Sequence, residues 1–294
     1  MLKTARPRRS VLYMPGSNAR ALEKGRTLAA DGLILDLEDA VAPDAKETAR
    51  NQIRDAIKQG GYGKRELIVR VNGLDTQWGR DDLTAAATFG ADAVLLPKVE
   101  SAGAVHQAEA MLATAGAPDS LAVWCMMETP LGMLHAEEIA EASPRIGALV
   151  MGTSDLAKDL HCAHTHDRLP FITSLGLCML AARAAGIAIL DGVHLDLDDN
   201  VGLEFACRQG RELGFDGKTL IHPKTINVAN EAFAPSPDEV AWSKKIISAH
   251  AEAAKQGKGI VVIDGKLIEN LHVLEAQRLV ALADAIRELE QAGA

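Results

Sequence analysis

Glu128, in Met126-Met127-Glu128-Thr129-Pro130, and Asp155, in Met151-Gly152-Thr153-Ser154-Asp155, each stand just beyond a short apolar run. Val123-Trp124-Cys125-Met126-Met127 leads into the first and Ala148-Leu149-Val150-Met151 into the second. A carboxylate just past a buried strand sits at the strand's C-terminal mouth, and two on successive strands converge. Oxygen ligands of this kind suit a hard cation that keeps waters and open positions for substrate. The competing reading is a pair of salt-bridged loop acids.

Other candidate mouths are equally polar. Pro15-Gly16-Ser17-Asn18 opens a helix, an arrangement that favours anions, although Pro-Gly is also ordinary turn chemistry. Asp36-Leu37-Glu38-Asp39 puts three acids within four residues. They could hold metal-bound waters, but for Asp36 and Asp39 pairing with Arg or Lys is the expected role. Arg70 and Asn72 follow in Val69-Arg70-Val71-Asn72. An arginine within an apolar run is costly unless it meets an anion, and its planar fork suits a carboxylate. That anion is a ligand, the acids of 36–39, or both in turn. Leu96-Pro97-Lys98 places an ammonium near those acids, and Ile221-His222-Pro223 brings an imidazole to the last mouth. The His161-Cys162-Ala163-His164-Thr165-His166-Asp167 stretch matches no standard zinc spacing.

These residues need a scaffold with many mouths on one side. Apolar segments at 10–14, 33–36, 67–71, 93–96, 123–127, 149–151, 187–190 and 219–221 read as strands covered on both faces. Ala-rich helical segments lie between them, as at 19–29, 46–58, 81–89 and 101–115. Eight strands alternating with helices predict an α/β fold, a (β/α)₈ TIM barrel, with a doubly wound open sheet as the alternative. The expected organisation is a catalytic barrel over 1–230 and a C-terminal helical lid or oligomerisation segment over 231–294. In the latter, Pro235-Ser236-Pro237-Asp238-Glu239 starts a helix at 239–256 with Asp238 near its start. Gly257-Lys258-Gly259 stops it, Asp264-Gly265 turns a hairpin, and a last helix covers 273–291.

Composition agrees. In 294 residues, 48% are hydrophobic and 3% aromatic, so Ala, Leu, Val and Ile must fill the core. A net charge of −9 without a long basic run argues against nucleic acid as a partner. Cys125, Cys162, Cys178 and Cys207 are dispersed, which points to reduced thiols. The basic run at residues 1–9 has no apolar segment after it, and no stretch reaches membrane-spanning length. A cytoplasmic protein away from membranes is expected.

Arg9-Ser10-Val11-Leu12-Tyr13-Met14-Pro15-Gly16, Asp36-Leu37-Glu38-Asp39-Ala40-Val41, Arg70-Val71-Asn72, Leu96-Pro97-Lys98-Val99, Glu128-Thr129-Pro130 and Phe215-Asp216-Gly217-Lys218 together resemble one family. It is the citrate lyase β-subunit-like group of CoA-ester lyases within the HpcH/HpaI aldolase superfamily. The resemblance runs in order from about residue 9 to 285. It implies a (β/α)₈ barrel, Mg²⁺ (with Mn²⁺ able to replace it), a CoA thioester substrate and a homotrimer or dimer of trimers. In that assembly the C-terminal segment covers a neighbour's active site. Residue by residue, it implies Glu128 and Asp155 as metal ligands and Arg70 on the small-acid carboxylate. Tyr13, Asn18 and Lys24 fall where the family contacts the CoA thioester, and Ser154, Ile221 and His222 on ligand-lining positions.

One departure bears on the reaction. Lyases of this group carry a catalytic Asp in a Gly-x-Met-Ile/Val-Asp segment, whereas here the order is Gly265-Lys266-Leu267-Ile268-Glu269. The Glu269-Asn270-Leu271-His272 form is similar to the (3S)-malyl-CoA thioesterase branch, which implies Glu269 as catalytic base with Arg70 beside it. The readings implied are three: thioester hydrolysis of malyl-CoA or a close 3-hydroxy diacid ester; cleavage of such esters to glyoxylate or pyruvate plus acetyl-CoA; or a citrate lyase β-type subunit serving an acyl carrier protein.

Overall fold

The computed structural model describes residues 6–257 and 259–292. Residues 1–5 of the basic N-terminal run and Lys258 of the expected helix stop lie outside the described residues. The chain forms two compact units, one spanning Arg8–Phe233 and one built on the residues from Ala234 onward.

The first unit is a closed barrel of parallel strands in the order β1 to β8, so the open-sheet alternative is excluded. The strands are β1 (Ser10–Pro15), β2 (Gly32–Asp36), β3 (Glu66–Arg70), β4 (Ala93–Leu96), β5 (Ala122–Met127), β6 (Ile146–Met151), β7 (Ala188–Asp191) and β8 (Gly217–Leu220). Around them run α1 (Ala19–Gly25), α2 (Lys46–Gln59), α3 (Gly79–Ala86), α4 (Ala102–Thr114), α5 (Pro130–Leu134) and α6 (Ala136–Ala140). The ring continues with α7 (Thr153–Leu160), α8 (Ile172–Ala185), α9 (Asn200–Leu213) and α10 (Ile226–Phe233).

Strand side chains alternate between two apolar layers. Val11, Ile34, Ile68, Leu95, Trp124, Met126, Val150 and Leu190 fill the lumen, with Tyr13 against them. Their neighbours, among them Leu12, Leu35, Val69, Leu96, Cys125, Leu149 and Ile189, face the helices. Both faces are covered, so β2, β4, β5, β6 and β7 carry no polar side chain before their ends. β6 starts three residues before the expected 149–151. Gly147 hides the signal, and it is there for Trp124: a Cβ at 147 would lie 3.0 Å from the indole Nε1. Polar side chains fix the helix starts. Asn18, Ser101, Thr129 and Asp199 accept the backbone N–H of Ala21, Ala104, Gly132 and Gly202. Outside the lumen, Lys218 and Asp191, both fully buried, pair at 2.8 Å, and Arg168 reaches the same carboxylate at 2.7 Å.

The second unit holds α11 (Pro237–Lys255), the antiparallel pair β9 (Val261–Ile263) and β10 (Lys266–Ile268), and α12 (Asn270–Ala292). α11 begins two residues before the expected 239, and Ser236 caps it. The Ser236 hydroxyl accepts from Glu239 N while the Glu239 carboxylate accepts from Ser236 N, a reciprocal pair that satisfies two backbone donors. The hairpin turns through Asp264 (φ 50°) and Gly265 (φ 77°), both left-handed as a tight two-residue turn requires. Ile246, Ile263, Ile268, Val273 and Ala276 form this unit's own small core.

Candidate active site

The register of the strands sets the site. Asp36 is the Cα partner of Arg70 on the neighbouring strand, and both side chains project into the upper lumen. The Arg70 fork grips Asp36 with Nε–Oδ1 and Nη2–Oδ2 both at 2.6 Å. Asp36 is fully buried and also accepts the backbone N–H of Glu38 and Ala40, so every one of its lone pairs has a use. The Tyr13 ring lies 4.8 Å beneath the guanidinium. Arg70 is therefore first a structural cation. Burial alone would lower its affinity for the proton, but Asp36 and Glu38 outweigh that and hold it well above the ordinary range.

The remaining edge of Arg70 leads to the other acids. Its Nη1 meets Glu38 Oε2 at 2.7 Å, with the exposed Asp39 at 3.8 Å. Glu38 Oε1 lies 3.3 Å from Lys98 Nζ, which in turn lies 3.5 Å from Asp155 Oδ2. The Lys98 backbone N–H donates to Glu128 Oε1 at 2.8 Å. Thus Arg70, Glu38, Lys98, Glu128 and Asp155 make one continuous group, delivered by the ends of β2 to β6. Lys98 adopts φ 48°, a left-handed conformation that costs a non-glycine residue about 1–2 kcal/mol. That twist lets one residue aim its N–H at Glu128 and its ammonium at the other two acids.

Glu128 is 3% exposed. Burial, followed by the neighbouring Glu38 charge, pushes its carboxyl up to about 7, against the opposing pull of Lys98. Glu38 is raised too, by burial before any charge effect. Asp155 is half-buried in the first turn of α7, where the helix dipole favours an anion. Gly152 separates the strand from that helix, and any Cβ there would run into the Glu128 side chain. The glycine is what lets the Glu128 carboxylate stand alongside the β6 mouth. Glu128 and Asp155, at the mouths of successive strands and both bound to Lys98, one through its backbone N–H and one through its ammonium, are a donor set for a hard divalent cation. Among the described residues no third His, Cys, Asp or Glu completes a sphere. An octahedral ion bound by one or two carboxylates leaves its other positions to water and substrate.

A buried lysine missing from the sequence reading supports this group. Lys46 Nζ donates to Leu37 O, Glu38 O and Asn72 Oδ1 at 2.7–2.8 Å. Asn72 Nδ2 returns to Leu37 O at 2.8 Å and to Asp82 at 2.5 Å. Together they fix the 36–39 turn, so Asn72 is a brace and not a ligand-facing group. A signal existed: Lys46 opens α2, where the dipole disfavours a cation unless other acceptors hold it.

Other expected site residues lie apart from these contacts. Asn18 is exposed and spends its amide oxygen on the α1 cap, and Lys24 is exposed in the last turn of α1. Ser154 is exposed beside Asp155. Ile221 and His222 are exposed just past β8, where His222 Nδ1 accepts from Lys224 N at 3.1 Å. Glu269 belongs to the second unit, exposed between β10 and α12, its N–H donating to His272 Nδ1 at 3.0 Å.

A model of the HpcH/HpaI aldolase/citrate lyase family matches residues 9–223. A (3S)-malyl-CoA thioesterase of Cereibacter sphaeroides is 53% identical over 97% of this chain and 98% of its own length. An L-malyl-CoA/beta-methylmalyl-CoA lyase of the same species is 36% identical over 96% of each. Among solved structures, protein CitE from Mycobacterium tuberculosis in complex with magnesium, acetoacetate and coenzyme A superposes with a TM-score of 0.76 at 30% identity. That match covers 96% of this chain and 100% of that one.

Proposed function

The chain belongs to the HpcH/HpaI aldolase/citrate lyase family, and from that premise we propose that it hydrolyses the thioester of (3S)-malyl-CoA, or a close 3-hydroxy diacid CoA ester, with Mg²⁺. The carrying observation is the gap in likeness: 53% to a malyl-CoA thioesterase against 36% to a malyl-CoA lyase, each over nearly the whole chain. The lid supports the same choice, since Glu269 stands where the lyases have Asp.

Mg²⁺ on Glu128 and Asp155 would supply Lewis-acid polarisation of substrate oxygens, a role Mn²⁺ could also fill. Magnesium in the CitE neighbour supports the choice of metal, as does the all-carboxylate donor set here. Arg70 holds Asp36 with one edge and offers the other, now on Glu38, to a substrate carboxylate. The Tyr13 ring stacks against that fork. Tyr13, Asn18, Lys24, Ser154, Ile221 and His222 are assigned to the CoA and acyl portions on the family resemblance. Glu269, delivered from a neighbouring copy of a homotrimer or dimer of trimers, takes a proton from water. The water oxygen bonds to the thioester carbon, the C–S bond breaks, and Glu269 returns its proton to the leaving sulfur, so that CoA leaves as the thiol and malate as the acid. One added methylene relative to Asp moves the carboxylate by about an ångström, enough to serve water in place of the substrate hydroxyl.

The test is incubation of the protein with (3S)-malyl-CoA and Mg²⁺, with free thiol and glyoxylate assayed together. Thiol without glyoxylate is expected. Glyoxylate without thiol would overturn the reading in favour of C–C cleavage.

A further inference from the structure

Among the described residues, Lys98 touches all three mouth acids, two through its side chain and one through its backbone. Its ammonium lies between Glu38 (3.3 Å) and Asp155 (3.5 Å), and its backbone N–H holds Glu128 (2.8 Å). The side chain is 47% exposed, so it enters this position from solvent and can leave the same way. We infer that Lys98 is an internal counter-cation: it holds the acidic mouth together in the metal-free protein, and a divalent cation must displace its ammonium to bind Glu128 and Asp155.

Three observations carry this. Carboxylates that close repel one another, and in a low-dielectric mouth such repulsion must be neutralised or the group must protonate. Lys98 Nζ supplies that neutralising charge, 3.3 Å from Glu38 and 3.5 Å from Asp155. The ammonium is the only cation reaching Asp155 among the ion pairs of the described residues. The left-handed backbone at Lys98 (φ 48°) accompanies a double role, N–H to one acid and Nζ to two. A cation held by Asp155 competes for the same oxygen that faces Nζ. The chain thereby sets its metal affinity lower than the bare carboxylates would give.

This rests on the metal reading above but can fail separately from it. The direct measurement is Mn²⁺ binding followed by EPR of the free ion, with no substrate present, on the wild type and on Lys98→Met and Lys98→Gln. Both variants lose the charge, and the second keeps a polar head should the first fold poorly. Both are expected to bind Mn²⁺ roughly tenfold more tightly, because no ammonium must be expelled. Lys98→Arg, which retains the charge, should stay near wild type. A lysine that merely braced the fold would give weaker binding on removal, so equal or weaker Mn²⁺ affinity in the neutral variants overturns the inference. If the wild type binds no Mn²⁺ at all, the metal reading falls and takes this inference with it. Glu128→Gln supplies the reference for lost binding.

Discussion

Glu128→Gln should make the metal-free protein more stable at pH 8, although it destroys a candidate functional group. Glu128 is 3% exposed, and burial with the nearby Glu38 and Asp155 charges moves its carboxyl from the ordinary 4.5 up to about 7. Because the folded state holds the proton more tightly than the unfolded one, stability falls as pH rises between those two values, and the full cost is present above pH 7. The shift corresponds to about 3 kcal/mol against the charged form. An amide keeps the shape and still accepts the Lys98 N–H, yet carries no charge. For a chain of this length the gain is about 5 °C in Tm. The assay is thermal or urea unfolding in EDTA at pH 5 and pH 8. The wild type should lose stability between them and the variant should lose less. With Mg²⁺ added at pH 8, the order should reverse, because only the wild type gains from binding. A variant less stable than wild type at pH 8 in EDTA would refute the argument that this carboxylate is held at a cost.

Arg70→Met should destabilise the fold by about 3–5 kcal/mol, seen in urea unfolding, because fully buried Asp36 is left with an unpaired charge; a change under 1 kcal/mol would mean that water reaches Asp36. Gly152→Ala should cost about 1–3 kcal/mol of strain against Glu128 and weaken Mn²⁺ binding while leaving the circular dichroism spectrum intact. Unaltered Mn²⁺ affinity would show that the carboxylate has other room. Glu269→Gln should lower kcat about 10²–10⁴-fold with unchanged Mn²⁺ affinity, and full turnover in that variant would remove Glu269 from catalysis.

Several elements were legible in the chain for simple reasons. A strand covered on both faces must be apolar throughout, so the runs at 33–36, 93–96 and 123–127 declare themselves, and the barrel follows from their number and alternation with helices. Glu128 and Asp155 were legible because an acid at the end of such a run has only the mouth to go to. The errors fall where a local pattern is interrupted for a distant neighbour. Gly147 masks the start of β6 because it yields space to Trp124. α11 starts at Pro237, two residues before the expected 239, because Ser236 and Glu239 bond reciprocally around that start.

Sequence by itself determined the strand count, the family resemblance and which carboxylates reach the mouth. These depend on residue type and on spacing along one chain. Only the tertiary structure decided how the mouth's charges are shared. Arg70 takes Asp36 because barrel register makes them partners 34 positions apart. Lys46 braces the turn above them, and Lys98 spans Glu38, Glu128 and Asp155 through a twist at one residue. Charge pairing depends on distances of a few ångströms between groups far apart in sequence, and nothing but the closed barrel fixes those distances.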